Sequence, residues 1–317
     1  MKFNRYSGNP VIPRKKETFH SIHAANPDIL ERGDKVFMYF RGQGDELHDQ
    51  MGVGWIDKEN FNGVDWNFHL DNPIIKVSED KKQFDSRHIL DPATIIIDGK
   101  VYLYYSGHSY DRPACIGLAI SEDGFSFEKY RSNPVIESAI APEIIERDGE
   151  FFLFYQKKNK KGYFEFYCSK STDGKEFTDE KCIFGPDVSG NGFDSFSVST
   201  CRIWQEEDVY HMIYGGSDQF DDYPSAFGMA SSRDLINWER AADNPIFERG
   251  EAGTWDEGGI WFGTVYKHGG DLYMWYEGCG SGMGSNTEES RICRNEDYGG
   301  YARFNFSQIG LAISETE

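Results

Sequence analysis

At 317 residues the chain is long enough for one large domain or two small ones, and its 15% aromatic content suits β-structure, where rings fit a pleated surface. A net charge of -20 repels nucleic acid and anionic membranes, so neither is an expected partner. No run reaches the roughly 18 apolar residues of a membrane span. The opening MKFNRYSGNP lacks a signal peptide's apolar stretch, and six scattered cysteines form no close CxxC pair, so a cytosolic chain with reduced thiols is expected.

The elements repeat. An Asn-Pro-aliphatic step reads NPVI at Asn9, NPII at Asn72, NPVI at Asn133 and NPIF at Asn244, with a degraded CIFGP at Cys182. A spacing of roughly 60 residues points to a propeller array rather than a helical solenoid. In chain order, blade 1 is predicted to place NPDIL from Asn26 on its inner strand, then VFMYF from Val36, MGVGWI from Met51 and a fourth strand near Trp66. Blade 2 follows with DPATIII from Asp91, VYLYYSG from Val101, IGLAIS from Ile116 and FSFEKY from Phe125. Blade 3 takes APEII from Ala141, FFLFYQ from Phe151, FEFYCSKS from Phe164 and a strand near Phe177. Blade 4 takes VSTCRIW from Val198, VYHMIYGG from Val209, FGMASS from Phe227 and the Trp238 segment. Blade 5 has IWFGTVY from Ile260, LYMWYEG from Leu272 and IGLAIS from Ile309, and lacks a fourth strand. The N-terminal FNRYSGNPVI matches the FEKYRSNPVI that ends blade 2, so Lys2 to Tyr6 is predicted to complete blade 5 and leave no open edge. The expected fold is all-β: a single five-bladed β-propeller over residues 1–317, closed by its N-terminal strand.

Second-to-third strand loops are long, starting at Arg41, Gly107 and Gly215, with an insertion from Glu277 to Asn305. Long loops in a compact domain carry function, and on one face they would wall an axial pocket.

Polar residues at the inner strand starts are the candidates for chemistry. Asp28, Asp91 and Glu143 begin strands that otherwise run apolar, and such acids are seldom buried without a purpose. Glycosidic cleavage needs a protonated acid for the leaving oxygen and a carboxylate that attacks or activates water. An aromatic-Asp-small triplet precedes several inner strands, at Asp85, Asp194 and Asp256. Its Asp has a structural alternative, accepting backbone N–H groups at a turn. Asp194 and Glu257, next to Asp256, are candidate ligand-binding residues, with Asn26, Arg41 and His88. Trp261 is the candidate stacking floor, ahead of Phe262, Trp55 and Tyr298. His20, His23, His48, His88 and His108 gather near the same region. A metal shared by His88 and Asp91, completed by Asp194 or Glu257, is an alternative, but hydrogen bonding to sugar hydroxyls is the simpler use, and no metal or cofactor is expected.

The NPVI steps, DPATIIIDGKVYLYYSG from Asp91 and IGLAISEDGFSF from Ile116 resemble the five-bladed propeller glycosidases: glycoside hydrolase family 43 and its relatives, and family 130, the β-mannoside phosphorylases and hydrolases. The family 43 resemblance implies a modulating Asp at Asp91. It also implies a base Asp where this chain has Asn26, with Asp28 two residues on, and an acid where it has Ile140, with Glu143 after the proline. The family 130 resemblance implies a general acid at Asp91 and matches Asn26-Pro27 leading to Phe40-Arg41, whereas Gln156 stands where an Arg would bind phosphate. The expected function is hydrolysis of a small neutral saccharide, with Asp91, Asp28 and Glu143 catalytic. Alternatives are a metal-dependent carbohydrate deacetylase, a glycoside phosphorylase and a non-catalytic glycan-binding propeller.

Overall fold

The turns register the hairpins. Asp98-Gly99, Asp148-Gly149 and Gly269-Gly270 all have φ between 50° and 99°, the left-handed pair that matches the twist of two antiparallel strands. The computed structural model describes residues 1–218, 224–280 and 306–314. The chain opens with β1 (Phe3–Arg5). Blade 1 is β2 (His23–Arg32), β3 (Lys35–Gln43), β4 (Asp49–Asp57) and β5 (Asn67–Phe68). Blade 2 is β6 (His88–Ile97), β7 (Lys100–His108), β8 (Cys115–Ser121) and β9 (Phe127–Lys129). Blade 3 is β10 (Ile140–Arg147), β11 (Glu150–Lys158), β12 (Phe164–Ser171) and β13 (Thr178–Phe184). Blade 4 is β14 (Ser197–Glu206), β15 (Val209–Ser217), β16 (Ala226–Ser232) and β17 (Glu239–Arg240), with β18 (Phe247–Glu248) also pairing with β16. Blade 5 is β19 (Gly259–His268), β20 (Asp271–Cys279), β21 (Ser307–Ser314) and, as expected, β1. Phe3 pairs with Ser314 and Arg5 with Ala312, so the two ends of the chain close one sheet.

The Asn-Pro repeat is a clamp. The side-chain amide of Asn72 donates to the Val53 carbonyl, and its oxygen accepts the Val53 N–H, both at 2.9 Å. Asn133 grips Leu118 and Asn244 grips Met229 in the same two-bond way. Asn9 grips Leu311 likewise, so the N-terminal copy serves blade 5. Blade 3 lacks the clamp and has instead a longer outer strand, β13.

The aromatic-Asp triplet is a second bracket. Asp85 accepts from the Tyr105 hydroxyl at 2.9 Å and pairs with Lys129 at 2.6 Å. Asp256 does the same with Tyr276 and Arg5. Asp194 accepts from Tyr214 at 2.9 Å and pairs with Arg240 at 2.7 Å. Asp194 thus ties the inner, second and outer strands of its own blade, the structural alternative to its expected role in ligand binding. Buried carboxylates need such partners.

Each inner strand carries one residue in the left-handed region at a β-bulge: Asn26 (φ 48°), Asp91 (58°), Ala141 (52°), Thr200 (43°) and Phe262 (53°). Register with the second strand slips at each of these places. A bulge re-aims a side chain out of the ladder, so five bulges form one ring around the axis. Blades pack on one another through aromatic clusters such as Tyr39, Tyr105 and Phe84 between blades 1 and 2. No helix of the described residues is long and apolar enough to cross a membrane.

Candidate active site at the propeller axis

Five second strands end in comparable words, YFRG, YYSG, FYQK, IYGG and WYEG, whose variable position holds Arg41, Ser106, Gln156, Gly215 and Glu277. Three of them, Ser106, Gln156 and Glu277, reach the bulge of the next blade. The Ser106 hydroxyl accepts the Ala141 N–H at 2.8 Å, and Gln156 accepts the Thr200 N–H at 3.0 Å. Glu277 accepts both the Asn26 N–H, at 3.2 Å, and the Asn26 side-chain amide, at 3.0 Å. Bracketing a strained bulge is therefore the structural duty of this position. At Glu277 the bracket is also charged, and Arg41 occupies the same position in blade 1.

Arg41 Nη2 lies 3.2 Å from Glu277 Oε1, and Arg41 Nε lies 3.6 Å from Asp49 Oδ1. Asp49 in turn stands 2.8 Å from Nδ1 of His88, and accepts from the Gln43 amide at 3.2 Å. Burial opposes ionisation of Asp49, but Arg41 and His88 hold its carboxyl well below the usual range. His23, buried and close to Arg41, falls to about 3 and is a neutral ring whose Nδ1 accepts the Ser307 N–H at 3.0 Å.

Asp91 sits on the bulge ring of blade 2. Burial raises its carboxyl to about 6, and the charge of Glu277 adds to the rise, while a Ser106 hydrogen bond, Arg41 and Arg202 pull it down. Burial also raises Glu277, against Arg41, Ser307 and the Asn26 amide. Two carboxyls therefore face one guanidinium. Arg41 contacts Glu277 directly and pulls its carboxyl down against burial, whereas Asp91 makes no such contact.

Unsatisfied polar atoms mark the same region. The Asn26 carbonyl oxygen, His108 Nε2 and Ser199 Oγ are buried with no protein hydrogen-bond partner. Such groups cost free energy unless a ligand or water meets them. Burial also lowers His108 to about 4, so its ring is neutral.

The expected site residues divide. Asn26, Arg41, Asp91 and, through Asp49, His88 are brought together, and Trp261 lies beside Glu277 in register. Asp28 and Glu143, expected to act with Asp91, are not in this group. They lie two residues beyond the bulges, tied to Arg202 at 3.7 and 3.1 Å, and line a cavity of about 640 Å³ at the opposite end of the axis. The Glu257 carboxylate accepts the Gly253 N–H at 2.5 Å within its own turn. His88 turns to Asp49, and no group of three His, Cys, Asp or Glu suited to a metal occurs among the described residues. Tyr298, and most of the blade 5 insertion, lie outside the described residues.

Glu277, Asp49 and Ser106 were not expected at the site. For Glu277 and Ser106 the signal was present, since the position after the aromatic residue in the second strands varies more than the aromatic before it and the Gly that follows in four of five blades. Nothing in the sequence marks Asp49, a loop-edge acid among many.

No protein-family model matches the chain, and no curated protein does. Among solved structures it is similar to the β-1,2-mannobiose phosphorylase from Listeria innocua in complex with β-1,2-mannobiose, at 15% identity, covering 99% of this chain and 97% of that one with a TM-score of 0.74. It is also similar to a thermostable family-43 glycoside hydrolase, at 18% identity, 93% and 90% coverage and a TM-score of 0.67. A third is the N-acetylgalactosamine deacetylase from F. plautii in complex with blood group B trisaccharide, at 15% identity, 98% and 96% coverage and a TM-score of 0.70. At these identities the likeness is one of fold: the five-bladed propeller of the family 43 and family 130 glycosidases.

Proposed function

We propose that the chain is a glycoside hydrolase whose chemistry is carried by Asp91 and Glu277 on the loop face of the axis. The observation behind this is that two buried carboxyls face one guanidinium, Arg41, which touches Glu277 at 3.2 Å, while burial raises Asp91 to about 6. Unlike acids in one site are what glycosidic cleavage requires. Asp91, near 6, donates its proton to the leaving oxygen. Glu277, held ionised by Arg41, activates water or attacks the anomeric carbon. The Asn26 carbonyl, Ser199 hydroxyl and His108 Nε2 take hydroxyl groups of the sugar, and Trp261 covers one face of the ring. The substrate is a small neutral saccharide: the net charge of -20 disfavours an acidic one. Solved structures of the same fold include a hydrolase and proteins in complex with saccharides, which supports a glycan ligand.

The test is turnover of the purified protein on a panel of aryl glycosides and N-acetylated sugars, with and without phosphate and chelator. Aglycone release that ignores both additives is the expected result. Acetate release that chelator abolishes would replace the reading with amide hydrolysis at a metal. Release that needs phosphate would replace it with phosphorolysis.

A further inference from the structure

Arg202 touches every blade. It lies in β14 of blade 4, with a side chain only 2% exposed. Its Nη2 donates to the Pro92 carbonyl of blade 2 at 2.7 Å. Its Nη1 donates to the Pro142 carbonyl and to Glu143 of blade 3, at 3.0 and 3.1 Å. Its Nε stands 3.7 Å from Asp28 of blade 1, and its guanidinium lies 4.8 Å from the centre of the Phe262 ring, the bulge residue of blade 5.

The bulges explain why this cation is needed. In blade 2 the register passes from Leu90–Ser106 to Ala93–Tyr104 and leaves Asp91 and Pro92 outside the ladder. Blade 3 leaves Ala141 and Pro142 outside in the same way. Proline offers no N–H, and its carbonyl, turned to the axis, loses its ladder partner. A rigid fork of donors is suited to hold two such carbonyls, which a lysine cannot do. Asp91 itself is held at φ 58°, a conformation that persists only when its surroundings enforce it.

We infer that Arg202 is the positioning residue for Asp91: by fixing the Asp91-Pro92 step from below, it sets where the Asp91 carboxyl points. Asp28 and Glu143 are the acids set against this buried guanidinium; burial raises both carboxyls, Glu143 to about 8, against the pull of Arg202. The inference rests on the reading of Asp91 as the general acid. It adds a residue from the opposite side of the bulge ring that touches no substrate.

The experiment compares R202K, R202M/E143Q and D91N with the parent chain. The first keeps the charge without the fork; the second removes the charge together with one of the two acids bound to it. Turnover on an active glycoside whose leaving group needs a proton is measured across pH, and Asp91 is titrated directly through its carboxyl carbon resonance, assigned by its loss in D91N. The charged groups facing Asp91 are Arg41, Glu277 and Arg202, so loss of Arg202 removes one of two cations. R202K is expected to lose kcat by about 10²-fold with KM little changed, as misplacement of a reacting group does. In R202M/E143Q the Asp91 titration is expected to move up. A folded R202K with parental kcat and pH profile overturns the inference, as does a folded R202M/E143Q with an unmoved titration. If R202M/E143Q does not fold, the kcat of R202K decides. Parental turnover in D91N would instead overturn the catalytic reading, and the titration arm would still decide the role of Arg202.

Discussion

Arg41 of blade 1 holds Glu277 of blade 5 at 3.2 Å, and the same guanidinium faces the Asp49 carboxylate at 3.6 Å. One buried cation thus serves carboxylates from two blades and lies near a third, Asp91. Removing it leaves Glu277 without its cation in a low-dielectric site. R41M is expected to lose about 3–5 kcal/mol of stability, the scale of breaking a buried pair from one side. Glu277→Gln in the same background should recover part of that loss. Chemical denaturation of the two variants measures both effects, and equal stabilities would show that Glu277 does not depend on Arg41.

Asp91 makes stability and activity depend on pH in a defined direction. Its carboxyl sits at about 6 in the folded chain against an ordinary 3.8. Below pH 4 both states are protonated and the group is neutral towards stability. Between 4 and 6 the unfolded chain ionises first, so stability falls as pH rises. Above 6 the full cost remains, about 3 kcal/mol. Asp91→Asn suits the left-handed conformation and carries no charge. It is expected to match or exceed the parent in melting temperature at pH 8 and to lose the advantage at pH 4. Lower stability at both pH values would contradict this assignment.

As a general acid, Asp91 also governs turnover. With the acid near 6, kcat/KM should fall as pH rises above that value. Asp91→Asn should lower turnover by about 10²–10⁴-fold on substrates whose leaving group needs a proton, and by less on activated aryl glycosides. A pH–rate series on two aglycones of different acidity tests this. Equal loss on both would move Asp91 from proton donor to another role.

Asp194 offers the opposite pattern. Its partners are Tyr214 and Arg240 of its own blade. Asp194→Asn is expected to cost about 1–3 kcal/mol, as a lost buried hydrogen-bonding charge does. Turnover per folded molecule should stay at the parental level. A stable but inactive variant would return Asp194 to the site.

The latch can be tested by deletion. Without residues 1–6, β21 loses its partner strand, the buried Phe3 ring and the Arg5 pair with Asp256. A loss of about 2–3 kcal/mol is expected from the ring alone, with association of the exposed edge. Light scattering against concentration reads the second effect. A monomer that melts like the parent would show that the seam is closed without β1.

Blade number, strand order and closure were legible in the chain because repeats encode them locally. An Asn-Pro clamp, an aromatic-Asp bracket and an Asp-Gly hairpin each act within one blade, so each copy announces itself. The left-handed ring and its polar atoms were half legible. Asp91 and Asn26 stand in visible Asp-Pro and Asn-Pro steps, and Arg41 in a visible second-strand ending. Which acids share a site was not legible. Asp28 and Glu143 resemble Asp91 in sequence, yet the bulge re-aims the chain within two residues and sends them below the ring to Arg202. Glu277 joins Asp91 only because closure brings blade 5 beside blade 1, across 186 residues of chain. Local repeats determine the blade. Which charges meet at the axis is decided by closing the ring, where burial forces each carboxyl onto the nearest cation.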